Sequence, residues 1–313
     1  MAPHVPPSGV WCPAVTFFDP TTDTLALHAQ EKYYTYLSRS GLTGLVILGT
    51  NAEAFLLTRP ERAQLIATAR AAVGPDYPIM AGVGAHSTRQ VLEHIEDAAQ
   101  AGANYVLVLP PGYFGKATTA SVVRGFFEEV AAKSTLPVVL YNFPGVCNGV
   151  DLDSELITAL ARGSGNIVGV KLTCASVGKI TRLTASLEPE RFAVFGGQSD
   201  FLIGGLSVGS AGCIAAFANV FPKTISRIFE LYKKGEVEEA LRLHRIAALA
   251  ESPCKAGIAS TKYAAAVFSA KAAGIEDAEE LLKPRRPYEA PAEGVKENVR
   301  RVMEEMGRVE AGL

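Results

Sequence analysis

Ile167-Val168-Gly169-Val170-Lys171-Leu172-Thr173 is a short apolar run closed by a lysine. Its length and β-branched content read as a strand buried on both faces, the kind that parallel sheets are made of. An ammonium group at the end of such a strand must pair, reach water or give up its proton, because an isolated buried charge is strongly disfavoured. A lysine pushed toward the neutral amine attacks carbonyl carbons, so imine chemistry is one reading of Lys171. The other is a lysine whose stem packs at the strand end while its head reaches water or a carboxylate. Both stand until the rest of the chain is read.

Working outward, the same strand type recurs. Short apolar runs at Val10 to Phe18, Leu42 to Gly49, Pro78 to Gly84, Tyr105 to Pro111, Pro137 to Asn142, Ile167 to Thr173, Phe192 to Gln198 and Gly212 to Phe217 make eight in all. Between them lie segments of helical periodicity, including Leu27 to Ser40, Arg59 to Val73, a helix started by Ser87 or Thr88, Val122 to Ala132 and Leu152 to Ala161. Thr58, Pro60 and Glu61 supply the N-cap, first-turn proline and acid of the second of these, and Gly41 and Gly102 sit where helices end. Eight βα units are the number that closes a barrel, so the expected fold is α/β, a (β/α)8 TIM barrel. After Phe217 the alternation stops. Pro222 to Lys234, Val237 to Ala250, Ser260 to Ala273 and Gly294 to Gly307 all read as helices, with Lys283-Pro284-Arg285-Arg286-Pro287 as a loop. The predicted division is a barrel over residues 1–220 and a helical extension over 221–313 packed on it. An open doubly wound sheet alternates in the same way and would suit an NAD-dependent oxidoreductase. Yet Gly82-Val83-Gly84-Ala85-His86 supplies only the first two glycines of a dinucleotide fingerprint and follows the third strand, not the first.

Composition narrows the partner. The 313 residues are 48% hydrophobic and 20% charged, enough for a large core, and a net charge of −2 without a long basic run leaves no footprint for nucleic acid or an anionic membrane. A small molecule is the expected ligand. Five scattered cysteines without a CxxC pair read as reduced thiols. Met1-Ala2-Pro3-His4-Val5-Pro6-Pro7 carries neither a basic nor an apolar leader region, and no apolar run reaches spanning length, so a cytosolic location is expected.

In a barrel, chemistry gathers at the C-terminal ends of the strands, and those ends are polar here. Strand two ends in Gly49-Thr50-Asn51-Ala52-Glu53, strand four in Pro110-Pro111-Gly112-Tyr113-Phe114, strand five in Tyr141-Asn142-Phe143-Pro144 and strand seven in Gly196-Gly197-Gln198-Ser199-Asp200. A lysine that forms an imine with a 2-oxo acid needs a proton relay, donors for the carboxylate and shelter from bulk water. Tyr141, next to Lys171 in the strand order, is a candidate relay or else an aromatic that fills the barrel. The Thr50 hydroxyl and the Thr50 and Asn51 amides are candidate carboxylate donors, although such turns are also ordinary loop chemistry. The five histidines form no HxH or HxxxH pair, with His86 at a helix start and His94 on a solvated helix face, so a metal-dependent aldolase is disfavoured. No GxSxG elbow is present, and Cys174 reads as a small core residue.

Gly49-Thr50-Asn51-Ala52-Glu53, Tyr141-Asn142-Phe143-Pro144 and Gly169-Val170-Lys171, in this order and on strands two, five and six, resemble the dihydrodipicolinate synthase and N-acetylneuraminate lyase family. The resemblance runs over almost the whole chain, including Gly212-Cys213-Ile214 and Ala218-Asn219-Val220. It implies a homotetrameric or homodimeric barrel acting on pyruvate or pyruvyl-containing acids by class I chemistry, with no metal or organic cofactor. By the same resemblance Lys171 forms the imine, Tyr141 relays protons, Thr50 and Asn51 grip the pyruvyl carboxylate, and Tyr113, Gly197, Gln198 and Ile214 face substrate. Ser199 and the Val146 to Asn148 loop are expected beside them at the mouth. Two departures matter. Phe143 to Gly149 lacks the arginine with which the synthases hold aspartate semialdehyde, and the usual tyrosine pair after strand four reads Tyr113-Phe114. With asparagine second in the Gly-Thr-Asn-Ala-Glu turn, the chain looks closest to the aldolases of 4-hydroxy-2-oxoglutarate and 2-keto-3-deoxy sugar acids. Its alternatives are a synthase-type condensation with aspartate semialdehyde and a catalytically silent protein that binds a keto acid.

Overall fold

The computed structural model describes residues 5–313. Eight strands pair in parallel and close on themselves in chain order, β1 (Gly9–Pro13), β2 (Gly44–Ile47), β3 (Ile79–Gly82), β4 (Tyr105–Val108), β5 (Val138–Asn142), β6 (Ile167–Leu172), β7 (Ala193–Gly196) and β8 (Gly212–Ile214), with β8 bonded back to β1. The barrel expected from the eight apolar runs is the fold. Its helices are α1 (Leu27–Ser38), α2 (Arg59–Val73), α3 (Thr88–Gln100), α4 (Ala120–Lys133), α5 (Ser154–Gly163), α6 (Val177–Ser186), α7 (Leu202–Leu206) and α8 (Pro222–Lys233). Beyond them come α9 (Val237–Glu251), α10 (Ile258–Ala265), α11 (Ala278–Leu281) and α12 (Glu293–Ala311).

Strands and helices differ from the sequence reading at identifiable places. The first strand stops at Pro13, which has no N–H for a ladder, and residues 14–18 run out of the sheet toward α1. The helix expected over Ser260 to Ala273 changes winding, from α to a π-helical segment over Ala266–Ala270. The sequence reading passed over α6, whose Ser176 side chain caps the Lys179 amide at 3.1 Å. His94 is half-buried, not solvated, because it lies three residues after Val91 and four before Ala98, on the face that α3 turns to the core. Burial and the nearby Arg62 charge push its imidazole pKa down.

Two apolar clusters share the sheet. The larger lies between strands and helices, and the smaller fills the barrel with Trp11, Val46, Met80, Tyr105, Leu107, Val139, Phe195 and Ile214. Trp11 meets Tyr105 and Phe195 edge-on, with centroids 6.1 and 6.3 Å away, and its indole N–H donates to the Pro7 carbonyl at 3.1 Å. The barrel interior is therefore packed, and the open end is the one where the strands finish.

One irregularity in this sheet aims Lys171. Val138 pairs with Ile167 but Val139 with Gly169, so β6 carries one residue more than β5 at Val168. Such a bulge resets the in-out alternation. Ile167 packs outward, and beyond the bulge Val170 and Leu172 also pack outward, while Lys171 lies opposite the interior residues Tyr141 and Phe195. Without that extra residue the two ends of this run could not have Ile167 outside and Lys171 inside. Gly169 makes the bulge possible, since a Cβ there would lie 2.7 Å from the Ala193 carbonyl oxygen.

Candidate functional site

Lys171 is 2% exposed, and its Nζ sits 4.3 Å from the centroid of the Tyr141 ring. Among the described residues no carboxylate is ion-paired with it, which removes one of the two structural partners its alternative reading offered. The Tyr141 hydroxyl lies 3.4 Å from Thr50 Oγ1, at the long edge of a hydrogen bond, and Phe143 packs on the Tyr141 ring at 5.9 Å. An amine, a phenol and an aliphatic hydroxyl from β6, β5 and the turn after β2 thus converge at one end of the barrel. Cys12 and Cys213, on β1 and β8, pack in the outer cluster, where burial pushes their thiols well up.

The turn that supplies Thr50 and Asn51 is held under strain. Leu48 and Glu53, at its two ends, adopt φ of 63° and 57° without being glycine, a geometry that costs about 1–2 kcal/mol for each residue. Its outer end is tied to the C-terminal helices. The Glu53 carboxylate, buried, takes Lys262 Nζ at 2.6 Å and the Arg285 amide at 2.8 Å, and Lys262 is fully buried. Burial pushes the Lys262 ammonium down to about 8 against the pull of Glu53. Thr16 Oγ1 donates to the Ala52 carbonyl at 2.8 Å, and Arg62 donates to the Ala54 and Gly82 carbonyls, both at 2.8 Å.

The remaining expected residues fall into two groups. Ile214 is fully buried in the same interior cluster as Tyr141. Gly197 directly follows β7, and a Cβ there would come within 2.1 Å of Thr173 Oγ1. Asn51 is half-buried in the turn. Tyr113 is not part of this convergence. At 73% exposure it lies on the rim, packed between His86 and Phe114, with Phe55 on the far side of His86. Gln198 accepts from Lys255 at 3.1 Å, and Ser199 is fully buried with its hydroxyl donated to Glu251 at 2.6 Å. Cys147 and Asn148 are bonded back to the loop after β4, through the Pro110 and Gly112 carbonyls. A cavity of about 610 Å³ opens beside Thr50, lined by Phe55, His86, Leu109, Val146, Ile258 and Tyr288.

The sequence reading missed Lys262, Arg285, Glu251 and His244, whose Nε2 lies 2.8 Å from the Ser199 carbonyl oxygen. The one available signal was a lone lysine inside the apolar helix around Tyr263-Ala264-Ala265. Glu251, 4% exposed, has its pKa raised by burial above the ordinary 4.5, against the Ser199 hydrogen bond. A carboxyl raised in the fold contributes stability that is complete below 4.5 and is lost as pH rises through the folded value, so at neutral pH the buried carboxylate weakens the fold. Glu251→Gln is expected to melt higher than the parent at pH 7.5, with the gap closing toward pH 4.5. Melting curves across that range test this, and a gap that does not change with pH would dissociate the effect from Glu251 ionisation.

The model of the dihydrodipicolinate synthetase family matches residues 6–305. A protein of Coccidioides immitis with the provisional name 4-hydroxy-2-oxoglutarate aldolase, mitochondrial, is 76% identical over 313 residues, all of both chains. The L-threo-3-deoxy-hexylosonate aldolase of Hypocrea jecorina is 34% identical over 97% of this chain and 98% of its own. Among solved structures, that of a dihydrodipicolinate synthase family protein from Coccidioides immitis superposes with a TM-score of 0.95 at 73% identity, covering all of both chains. The cytosolic location expected from the first residues is corrected by the mitochondrial name of the 76% identical relative. An import address is read by receptors and leaves no trace in the packing of a fold, so a stretch without leader features did not decide the compartment.

Proposed function

The chain belongs to the dihydrodipicolinate synthetase family, and from that premise we propose that it is a class I, pyruvate-dependent aldolase. It cleaves a 4-hydroxy-2-oxo acid or a 2-keto-3-deoxy sugar acid to pyruvate and an aldehyde, and is thus a carbon-carbon lyase. The observation that carries this reading is the placement of Lys171 Nζ over the Tyr141 ring, with the Tyr141 hydroxyl at the reach of Thr50. In the proposed sequence the Lys171 amine adds to the C2 ketone and water leaves, forming an imine. Tyr141 gives its own proton to the hydroxyl that leaves as water, which leaves the imine protonated. It then takes the C4 hydroxyl proton as the C3–C4 bond breaks, the electron pair passes into the protonated imine to give an enamine, and an aldehyde departs. Protonation at C3 and hydrolysis release pyruvate and restore the amine. Thr50 and Asn51 hold the C1 carboxylate, and Ile214 and Gly197 shape the wall beside it. The protonated imine on Lys171 serves as the electron sink, so this chemistry calls for no metal or organic cofactor.

The aldehyde half is assigned to Gln198, the Val146 to Asn148 loop and the cavity beside Thr50. Relatives carry the names 4-hydroxy-2-oxoglutarate aldolase and L-threo-3-deoxy-hexylosonate aldolase, which supports reading the substrate as a 2-oxo acid with a 4-hydroxyl. The mitochondrion is the proposed compartment. A homotetramer or homodimer is proposed from the rim, where Tyr113 and Phe114 are each 73% exposed, with Tyr113 held for a neighbouring subunit's substrate.

Borohydride reduction in the presence of pyruvate, followed by peptide mass spectrometry, is the test. A pyruvyl adduct on Lys171 is the expected result, and a folded protein without one would overturn the mechanism. Pyruvate with aspartate semialdehyde is expected to give no condensation product, because Phe143 to Gly149 offers no cationic donor for the second carboxylate.

A further inference from the structure

Nothing in the aldolase chemistry requires the helices beyond the barrel, yet besides bonding Gln198 and Ser199 through Lys255 and Glu251 they reach the turn that carries Thr50. Lys262 on α10 is a fully buried cation about which the mechanism is silent, and its Nζ is bonded to Glu53 Oε1 at 2.6 Å and to the Lys283 carbonyl at 3.0 Å. Glu53 Oε2 takes the Arg285 amide at 2.8 Å. The Arg285 side chain is itself fixed, gripping Glu61 with two nitrogens at 2.7 and 2.8 Å and donating to the Leu56 and Asp23 carbonyls at 3.0 and 2.9 Å. Two donors of the C-terminal region, Lys262 Nζ and the Arg285 amide, therefore converge on one carboxylate, and the Lys283 carbonyl holds Lys262 in place.

That carboxylate belongs to the residue that closes the Thr50–Ala52 turn. The Glu53 amide donates to the Thr50 carbonyl at 3.0 Å, and Glu53 holds a left-handed φ of 57° that its side-chain bonds over-determine. A buried ion pair is a poor source of stability, since desolvation offsets its attraction, but it fixes geometry because either charge alone is costly to leave unpaired. Here it fixes a turn whose neighbouring hydroxyl lies 3.4 Å from Tyr141.

We propose that Glu53 and Lys262, with the Arg285 amide, form a clamp through which the C-terminal helices set the position of the Thr50–Asn51 turn. Both are positioning residues for the carboxylate of the keto acid. The inference rests on the reading that Thr50 and Asn51 hold that carboxylate, and the test separates the two. Imine formation at Lys171 is measured by borohydride trapping with pyruvate and with acetone, a ketone without a carboxylate, in the parent, Glu53→Gln, Glu53→Gln/Lys262→Met and Thr50→Ala. Glu53→Gln is close to isosteric but leaves Lys262 without its carboxylate, so the double variant, which removes both charges at once and leaves neither unpaired, guards against a failure to fold.

In both clamp variants the half-saturating pyruvate concentration is expected to rise about tenfold, the scale on which small displacements of positioning groups act, while acetone trapping stays within about twofold of the parent. Equal losses for the two ketones, or unchanged pyruvate saturation with a lower melting temperature, would show a merely structural pair and overturn the clamp. If Thr50→Ala leaves both ketones unchanged while the clamp variants still move pyruvate selectively, the clamp stands, acting through Asn51, and the role given to Thr50 falls.

Discussion

Lys171→Met is expected to lower the rate of pyruvate release by on the order of 10⁴-fold or more, with no borohydride adduct, in a protein that melts no lower than the parent. The two halves of this result have separate causes. The amine is the only group placed to bond covalently to substrate in the proposed sequence, and an apolar side chain supplies neither nucleophile nor electron sink. Stability should hold because Lys171 is 2% exposed and has no carboxylate partner among the described residues, and methionine, unbranched and one heavy atom shorter, follows the same channel beside Tyr141 and Phe195. Removing a buried, unpaired amine takes away a desolvation penalty and leaves no charge orphaned. Turnover with a synthetic 4-hydroxy-2-oxo acid and a thermal melt on the same preparation decide it. Activity within tenfold of the parent would sink the imine mechanism, and a large loss of stability would assign the lysine a structural role.

Gly82→Ala should be the most damaging single methyl group near the site. A Cβ at Gly82 would sit 2.0 Å from the Leu48 carbonyl oxygen and 2.7 Å from its carbon, both backbone atoms that no rotamer change can move. Leu48 is already in the left-handed region at the entry to the Thr50 turn, so the displacement passes directly into that turn. Overpacking against a fixed backbone costs about 1–3 kcal/mol, and a shift near 1 Å in a positioning group lowers kcat/KM by about 100-fold. Gly44→Ala is the control, since its Cβ would meet the Trp11 ring at 2.5 Å, at the closed end of the barrel. It should lose stability with a much smaller loss of kcat/KM. Equal activity losses in the two variants would show that general loosening, and not the turn, is responsible.

How much of this was legible in the chain depends on whether a feature is local. The barrel was, because each strand is a contiguous apolar run and the eight recur at regular intervals. Lys171, Tyr141 and Thr50 were, because polar residues at strand ends in a barrel share one mouth. The bulge at Val168 was not: an apolar run without alternation carries no record of which residue is unpaired, and the register with β5 settles it. Ser199 was expected at the mouth from its place after β7, yet Glu251, 52 residues on, holds its hydroxyl. The Lys262–Glu53 pair spans 209 residues, and nothing near either one announces the other. Location was the least legible, since compartment is addressed by features that folding physics does not constrain.

The span of that pair also orders events during synthesis. A chain made from its N-terminus has every barrel strand available by Ile214, well before Lys262, Lys283 and Arg285 exist. The closed barrel and its lysine can thus form on the ribosome while the strained Glu53 turn still lacks its anchor. A nascent chain would carry the amine before it carries a finished grip for a keto acid, so tight keto-acid binding waits for the end of the polypeptide.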